Sequence, residues 1–479
     1  MIKLLLKNSF IYGFIPQLPK LASFFILPFI TPFLTKVDYG IIGVLDVYIG
    51  LISAIHFLGF NVVITNVFIN HPNRYLIVWR QLYGFLLLWS IVYIFILGVV
   101  IYYTLPQEAN NNLEKILFLK LFPELIFTPI LMFMTIYYRM KQLAWPIALR
   151  SLISGLLAVS INYYLIVHLR LAYMGWLYSG FVGTVAGGLM FLIPFFKTLK
   201  LYPIFNFKRR LIIKSMKVGL PVLPHNYSHY LLNSSDRFIM ERFQVSTGNI
   251  GIYSLAYTLG IYINLGANAI NQAVSPNLLI FIKEKKWKSY QDLVVLFQSL
   301  IFSACVTSAI WVNNWMPILI RNDELNQYPQ IFVIIALSYS AWPLYSGCNK
   351  VLFYFEKTTV LWKITTMAGI INILLNIFLI PIYGFLIAAW TTLIAMLYQS
   401  FSGFFFKHYK EMNKAKLDPL FWFIMVIGSL LICLKVMDGK IVEKLVATIL
   451  ILAIVMIYIF KKIDTNKIKF NVRRHKGTA

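Results

Sequence analysis

The sequence predicts an all-helical protein that crosses a membrane about fourteen times. Of its 479 residues, 59% are hydrophobic and only 13% are charged, and the mean hydropathy is +0.75. A soluble chain of this length needs more polar surface than that to cover its core. Several apolar runs, such as Leu82–Tyr103, also reach the roughly 18 residues that span about 30 Å of hydrocarbon.

The hydrophobic runs set the predicted positions of the helices. The basic residues Lys3 and Lys7 precede the first run, as in a signal peptide. Pro16, Pro19 and Lys20 and the lack of a small-residue cleavage site instead favour a retained helix. We predict fourteen helices, over residues 10–30, 41–64, 81–104, 116–137, 145–167, 172–196, 218–240, 250–279, 289–313, 328–349, 360–381, 384–405, 419–434 and 445–460.

The cysteines give no sign of a metal or redox site. Cys305, Cys348 and Cys433 all fall inside apolar runs, and no two of them have a CxxC spacing. Cysteine in such a setting usually behaves as a small buried hydrophobic residue. We therefore predict no metal site.

The lysines and arginines predict the topology. The net charge of +26 is spread between the hydrophobic runs instead of forming one face of a polar domain, which argues against nucleic acid as a partner. With the N-terminus inside, 31 of the 43 basic residues lie in inner segments, 8 in outer segments and 4 within helices. Cytoplasmic loops are the ones enriched in Lys and Arg. Both termini are therefore predicted to be cytoplasmic.

The longest basic inner loop divides the chain into two halves. Gly13-Phe-Ile-Pro-Gln-Leu-Pro-Lys20 resembles Gly219-Leu-Pro-Val-Leu-Pro-His225, and Tyr39-Gly40-Ile-Ile resembles Ile250-Gly251-Ile-Tyr253. Six helices return the chain to the same side, so such repeats run parallel about an axis along the membrane normal. Coincidence between two proline-containing apolar segments is the alternative. The predicted parts are an N-lobe (1–196, helices 1–6), a basic cytoplasmic loop (197–217), a C-lobe (218–406, helices 7–12), peripheral helices 13 and 14 (407–460) and a basic cytoplasmic tail (461–479).

Polar residues at helical spacing indicate faces that avoid lipid. Helix 7 carries His225, His229 and Asp236 on one face, and helix 8 carries a stripe of Tyr257, Asn264, Asn268, Asn271 and Ser275. This polarity favours a hydrated cavity beside helices 7 and 8. The sparser stripes of helix 10 (Ser338, Trp342, Tyr345, Asn349) and helix 11 (Thr365, Gly369, Asn372, Asn376) favour hydrogen bonding between helices.

Ionisable residues are fewer in the N-lobe. They are Lys20 in helix 1, Asp46 in helix 2, Lys120 and Glu124 in helix 4 and Arg150 in helix 5. Each costs about 2.5–3.5 kcal/mol if it faces lipid at the bilayer centre. Lys20 reaches neither surface easily, so it is expected to face protein or water. Lys120 and Glu124 lie one turn apart and are positioned to pair, and Lys120 and Arg150 are also able to snorkel.

Two stretches resemble a known family. Asn233-Ser-Ser-Asp236-Arg237-Phe-Ile-Met, followed by Gly248-Asn-Ile-Gly251-Ile-Tyr253-Ser-Leu-Ala-Tyr257, is similar to the Wzx-type flippases for O-antigen and other polysaccharides. These belong to the multidrug/oligosaccharidyl-lipid/polysaccharide (MOP, MATE-like) exporter superfamily. Tyr39-Gly40-Ile-Ile-Gly43 and the predicted topology extend the similarity over nearly the whole chain.

The resemblance implies a two-lobed bundle around a cavity that alternates between inward-open and outward-open states. The implied cargo is an undecaprenyl-diphosphate-linked oligosaccharide, moved to the outer leaflet of a bacterial inner membrane, with helices 1 and 8 parting to leave the lipid tail in the bilayer. Polysaccharide polymerase machinery is an implied partner. No cofactor is expected beyond a coupling proton or sodium ion.

Roles for individual residues follow as hypotheses. Cations in the cavity replace the hydration that the diphosphate loses, and neutral polar and aromatic groups suit sugar hydroxyls. The candidates are Lys20, Arg150, His225 and His229 for the diphosphate, Tyr257, Asn264 and Asn268 for the sugars, Asp46 or Glu124 for ion coupling, and Asp236 with Arg237 as a structural pair.

Three other functions stay open. An ion-coupled multidrug exporter is the first, although cationic drugs favour an acidic cavity and the candidates here are mostly basic. A membrane glycosyltransferase or glycan polymerase is the second, although no paired acids or phosphate loop are evident and the outer gaps are short. A scaffold role in a glycan-assembly complex is the third.

Overall fold

The computed structural model describes residues 15–463, apart from the side chains of Pro16, His225, Asn226, His229 and Thr358. Over this range the protein is helical and contains no strand. We number the fourteen main helices in chain order: α1 Leu18–Ile30, α2 Lys36–His56 continued by Phe60–Asn70, α3 Tyr75–Thr104, α4 Leu113–Met140, α5 Ala144–Tyr163, α6 Tyr173–Ile193, α7 Leu223–Arg242, α8 Thr247–Lys283, α9 Trp287–Ile310, α10 Pro329–Tyr339 continued by Trp342–Tyr354, α11 Thr358–Tyr383, α12 Ile387–Ser402, α13 Pro419–Val436 and α14 Ile441–Lys462.

Each of the fourteen predicted helices has a counterpart in this series. Within residues 15–463, eleven helices are long and apolar enough to cross a membrane. The other three are α1, α7 and α12. Of these, α1 has 13 residues, α12 has 16, and α7 is interrupted by polar side chains. Neighbouring helices therefore have to cover the polar face of α7.

Several helix boundaries differ from the prediction for local reasons. Helix α2 begins five residues earlier, at Lys36, because Thr35 and Asp38 form a capping box that satisfies the first backbone amides. The same helix breaks at residues 57–59, where Leu58 (φ 49°) and Gly59 (φ 70°) are left-handed. Hydrophobic periodicity alone indicates neither feature.

The predicted basic loop at 197–217 is partly helical. After an extended stretch, the residues Arg209–Gly219 form an amphipathic helix, and a 3₁₀ turn at Leu220–Val222 leads into α7. In the helix Arg209–Gly219, Ile212 and Ser215 are buried on one face, and Lys214 and Lys217 are exposed on the other. We call this segment the surface helix.

The helices form two six-helix lobes, and the last two helices pack on the second lobe. In the N-lobe, α5 and α6 pack together, α4 packs on α6, and α1 packs on α5; in the C-lobe, α7 packs on α11, and α10 packs on α8, α9 and α12. Helices α13 and α14 pack on the outside of α9 and α10. They therefore contact the second lobe only from one side.

The two lobes touch where the sequence repeat predicts equivalent positions. A Cβ atom on Gly40 of α2 would lie 1.9 Å from the carbonyl oxygen of Thr247, and one on Gly251 of α8 would lie 1.8 Å from that of Lys36. Gly251 lies four residues after Thr247, which Gly40 contacts, and Gly40 lies four residues after Lys36, which Gly251 contacts. The contact is thus reciprocal, and only glycine permits this approach of two helix backbones.

A loop from the C-lobe reinforces this contact. The Nδ2 atom of Asn322 donates to the carbonyl oxygen of Leu34 at 2.7 Å, and the backbone N–H of Arg321 donates to the Thr31 hydroxyl at 3.0 Å. All these residues lie at the end of the bundle that the lysines and arginines predict to be outside. The two lobes are therefore joined at the predicted outer end.

Candidate functional site

Two cavities lie below this junction and share one residue. The first, the interlobe cavity, has a volume of about 370 Å³ and lies between α1, α2, α4, α5, α6 and the start of α8. The second, the C-lobe cavity, has a volume of about 380 Å³ and lies between α7, α8, α10 and α12. Arg237 of α7 lines both.

Arg237 is a cation with spare hydrogen-bonding capacity. Its Nη2 donates to the carbonyl oxygen of Asn233 at 3.2 Å, and its guanidinium carbon lies 5.0 Å from the ring centre of Tyr257. Its Nε is buried without a hydrogen-bond partner, and none of the described carboxylates lies within 4.0 Å of it. A guanidinium has five N–H donors that match phosphate oxygens. Arg237 is therefore available to an anionic ligand.

Asp236, the neighbour of Arg237, belongs to a separate network. Its carboxylate is 0% exposed and accepts from Tyr253 at 2.5 Å, from Thr392 at 2.8 Å, and from the amides of Asn372 and Asn376 at 2.7 Å each. Asp236 and Arg237 are predicted to act as a structural pair, but consecutive residues of a helix project about 100° apart, and of the two only Asp236 accepts the bonds of this network. The network instead joins α7 to α8, α11 and α12, so the polar stripe of α11 does make interhelical bonds.

The interlobe cavity contains two residues of opposite charge that lie close together. Lys120 Nζ lies 4.0 Å from Asp46 Oδ1, and both residues line the cavity. Their side chains are 29% and 60% exposed, so water weakens the attraction. A ligand anion can therefore compete for Lys120, which the sequence analysis did not assign to the site.

Glu124 pairs with a histidine that the sequence analysis overlooked. His56 Nδ1 lies 3.2 Å from Glu124 Oε2, its Nε2 lies 3.3 Å from the Ser90 hydroxyl, and its ring stacks between Phe57 and Tyr93. His56 is 2% exposed and immediately precedes the break in α2. The predicted pairing of Glu124 with Lys120 is therefore wrong. The signal in the sequence was a lone histidine in an otherwise apolar segment.

Arg150 lies outside both cavities. Its Nε donates to the carbonyl oxygen of Met190 at 3.2 Å, its Nη1 donates to that of Pro146 at 3.0 Å, and its guanidinium lies 4.9 Å from the ring centre of Phe191. These contacts hold α5 against the carbonyl end of α6. Arg150 thus makes packing contacts in this structure, and its contact with a ligand stays a prediction.

Lys20 lies on the cavity side of α1. It is exposed, and it precedes Ser23 and Leu27, which line the interlobe cavity, by three and seven residues. Residues at that spacing share a helix face, whereas Phe25 and Phe29 are exposed on the other face. The two histidines His225 and His229 lie on α7, but their side chains are outside the described residues.

The predicted sugar-binding residues line the C-lobe cavity together. Tyr257, Asn264 and Asn268 all face it, and the Nδ2 of Asn268 donates to the carbonyl oxygen of Asn264 at 3.0 Å. Asn271, further along the same stripe, does not line this cavity. Its side chain accepts a hydrogen bond from Ser346 at 2.6 Å and so links α8 to α10.

The C-lobe cavity also has members that the sequence analysis placed elsewhere. Ser338, Trp342 and Tyr345 of α10 line it, together with Gln399 of α12. The α10 stripe is predicted to bond to neighbouring helices, and Tyr345 does bond to Gln399 of α12, whereas the Ser338 hydroxyl donates to the carbonyl oxygen of Ile334 in its own helix at 2.8 Å. The cavity is thus aromatic on one wall and rich in neutral amides and hydroxyls on the others.

Comparison with solved structures defines the class of the fold. The chain resembles the lipid II flippase MurJ in an inward closed conformation, with a TM-score of 0.63 and 16% identity, covering 93% of this chain and 99% of that one. It also resembles the MATE transporter VcmN of Vibrio cholerae, with a TM-score of 0.55 and 13% identity, covering 85% of this chain and 96% of that one. The chain therefore has the fold that these two proteins share.

Sequence comparison then identifies the family. The model of the family described as "Polysaccharide biosynthesis protein" matches residues 5–279. The chain belongs to this polysaccharide biosynthesis family. No curated protein matches the chain by sequence.

Proposed function

We propose that the protein is a flippase that moves an undecaprenyl-diphosphate-linked oligosaccharide from the cytoplasmic to the outer leaflet of a bacterial inner membrane. The observation that carries the proposal is the position of Arg237, an arginine without a carboxylate partner among the described residues, between two cavities of different chemistry. The family match and the fold shared with a lipid II flippase support it.

Arg237, Lys120 and Lys20 form the proposed site for the diphosphate. A diphosphate is costly to transfer into hydrocarbon, and charge-assisted hydrogen bonds from cations replace its lost hydration. Arg237 supplies a planar fork of donors, and Lys120 is held only loosely by Asp46 at 4.0 Å. His225 and His229 remain candidates for the same role because they lie on α7.

The C-lobe cavity is the proposed site for sugar residues. Asn264, Asn268 and Gln399 supply neutral donors and acceptors for hydroxyl groups, and Trp342 and Tyr345 supply flat apolar faces. Such a wall binds a sugar without requiring charge on it. Because Arg237 lies at the edge of this cavity, a diphosphate there places its attached sugar inside.

Opening and closing of the junction at Gly40 and Gly251 is the proposed route to alternating access. In the present structure the lobes are joined at the predicted outer end. Helices α1 and α8, which both line the interlobe cavity, are the proposed portal through which the polyprenyl tail stays in lipid.

Glu124 with His56 is the proposed site of ion coupling, with a proton as the ion. The pair is able to share a proton, and it adjoins the break in α2, the helix that joins the lobes. Asp46, the other candidate, is 60% exposed and faces Lys120 instead of a histidine.

A depletion experiment tests the proposed function. In cells depleted of the protein, we expect a lipid-linked oligosaccharide to accumulate on the cytoplasmic leaflet. Wild type and Arg242→Gln, a change at an exposed arginine on the same helix outside both cavities, restore export, whereas Arg237→Gln does not. Normal export in depleted cells contradicts the proposal.

The fold shared with a multidrug resistance MATE family transporter makes drug export the second candidate function. A cationic drug needs a carboxylate in the cavity, and the interlobe cavity offers Asp46. If depletion raises drug sensitivity and leaves the lipid-linked glycan evenly distributed, drug export is the function.

A further inference from the structure

A groove on the N-lobe lies away from both cavities and from the proposed transport path. It has a volume of about 280 Å³ and is bounded by the second part of α2, the start of α3 and the surface helix Arg209–Gly219. Its walls are mostly aliphatic, from Val63, Val67, Val78 and Leu211. We infer that this groove binds an anionic phospholipid of the predicted cytoplasmic leaflet.

The rim of the groove is polar and cationic, unlike its walls. Lys214 of the surface helix and Asn66, Asn70 and His71 at the end of α2 all line it, and all four are exposed. Their donors lie above apolar walls. A phospholipid matches this arrangement, because its phosphate can bind the donors while its acyl chains contact the walls. An acidic peptide or a nucleic acid has no need of the aliphatic walls.

The surrounding charge is of one sign. The sequence contains no Asp or Glu from residue 125 to residue 235 and none from residue 57 to residue 107. Around the groove these segments contribute eleven basic residues on the predicted inner face: Arg74, Arg80, Arg139, Lys141, Lys197, Lys200, Lys208, Arg209, Arg210, Lys214 and Lys217. Positive charge next to a membrane attracts anionic lipids over neutral ones.

Exposed apolar side chains flank the groove on the same face. Ile69 of α2 and Ile77 of α3 are 62% and 55% exposed, and Ile213 and Val218 of the surface helix are also exposed. A helix with exposed cations beside exposed apolar residues typically lies in the plane of the membrane interface. The groove therefore opens where lipid is available, and its occupant is a lipid already present in the bilayer.

Lipid retention by the purified full-length protein tests this site. We expect native mass spectrometry to show that phosphatidylglycerol is retained in preference to phosphatidylcholine with the same acyl chains. The variant Lys214→Gln, which removes a lysine that lines the groove, is expected to weaken that retention about fivefold, the factor that corresponds to about 1 kcal/mol for one cation near an anionic surface. The control Lys197→Gln/Lys200→Gln removes two exposed cations of the predicted inner face that do not line the groove.

A second variant separates the groove from general surface charge. Val67→Trp fills the groove and keeps every cation, so it is expected to lose the preferential retention while the melting temperature of the lipid-free protein stays near that of wild type. Equal retention of the two lipids by wild type overturns the proposal. So does an equal loss in the Lys197/Lys200 control, or unchanged retention in Val67→Trp. Transport of glycan enters none of these readouts, so the result is independent of the proposed function.

Discussion

Arg237 illustrates how two neighbouring residues of one helix acquire different roles. Asp236 is enclosed by four donors, whereas Arg237 opens onto two cavities and has a buried Nε without a partner. The turn of the helix separates them by about 100°, so adjacency in sequence does not make an ion pair. The carboxylate therefore stabilises the C-lobe, and the guanidinium is left for a ligand.

Substitution of Arg237 tests the ligand role. We expect Arg237→Gln to reduce transport about 10- to 100-fold, because a hydrogen bond to a charged group contributes about 1.5–3 kcal/mol. Arg237→Lys is expected to retain part of the activity, since it keeps the charge and loses the planar fork. Initial rates of export at matched protein levels provide the measurement. Equal rates for wild type and Arg237→Gln contradict the assignment.

Substitution of Asp236 tests the structural role. Asp236→Ala leaves the buried donors of Tyr253, Asn372 and Asn376 without their acceptor, at about 1–3 kcal/mol for each buried group left unsatisfied. We expect a clear drop in the melting temperature of the detergent-purified protein. Asp323→Ala, at an exposed loop position, serves as the control and is expected to change little. An unchanged melting temperature for Asp236→Ala shows that the network is dispensable.

The proposed site of proton coupling, the His56–Glu124 pair, is tested by substitution of Glu124. Glu124→Gln removes the carboxylate and leaves the Ser90 contact of His56, so transport is expected to continue without acceleration by an imposed pH gradient. Asp46→Asn is expected to keep that acceleration, because Asp46 contacts Lys120 and not His56. Reconstituted transport with and without a gradient distinguishes them. Acceleration that persists in Glu124→Gln and disappears in Asp46→Asn reverses the assignment.

At the scale of helices, the approach of α2 and α8 depends on a pair of glycines. Gly251→Ala places a methyl group about where the carbonyl oxygen of Lys36 already lies, so the two helix ends must separate. We expect a cysteine at Ser23, which lines the interlobe cavity, to become reactive toward an impermeant thiol reagent from outside.

The control for this change lies on the same helix. Gly266 has open space where its Cβ would be, so Gly266→Ala is expected to leave the reactivity of the cysteine low. Alanine also favours the helix over glycine by about 1 kcal/mol, so this change does not destabilise α8. The native Cys305, Cys348 and Cys433 are buried and give a low background. Low reactivity in Gly251→Ala means that these helix ends do not form an outer gate.

The helices could be predicted from sequence, but their ends and partners could be predicted only in part. A run of apolar residues long enough to span the bilayer is a local property, and each of the fourteen predicted helices has a counterpart. The capping box at Thr35 and the break at Gly59 are also local features, but the pattern of hydrophobic residues does not predict them. The pairing of Glu124 with His56 depends on how α2 packs against α4, which no local pattern encodes.

The same limit applies to the candidate site. The α8 stripe correctly places Tyr257, Asn264 and Asn268 at one cavity, because a polar face in an apolar helix needs water or protein beside it. Both Arg150 and Arg237 bond to backbone carbonyls, but only Arg237 lines the two cavities, and charge alone did not separate them. Only the packing of the helices decides which cations remain available.

At the scale of the whole molecule, two equivalent lobes enclose different chemistry. The repeat supplies matching helices and a reciprocal glycine contact. The interlobe cavity holds Asp46 and Lys120, the C-lobe cavity holds neutral polar and aromatic groups, and Arg237 lines both. A lipid-linked glycan has the same division, with a charged diphosphate joined to neutral sugars. This correspondence is the central claim.

Reconstitution tests that claim most directly. Purified protein is placed in liposomes that contain an undecaprenyl-diphosphate-linked oligosaccharide, and the fraction of glycan accessible to an external glycosidase is followed over time. The proposal predicts that wild type and Arg242→Gln make the inner-leaflet glycan accessible and that Arg237→Gln does so at least about tenfold more slowly. Accessibility that stays at the level of protein-free liposomes, or that is the same for wild type and Arg237→Gln, contradicts it.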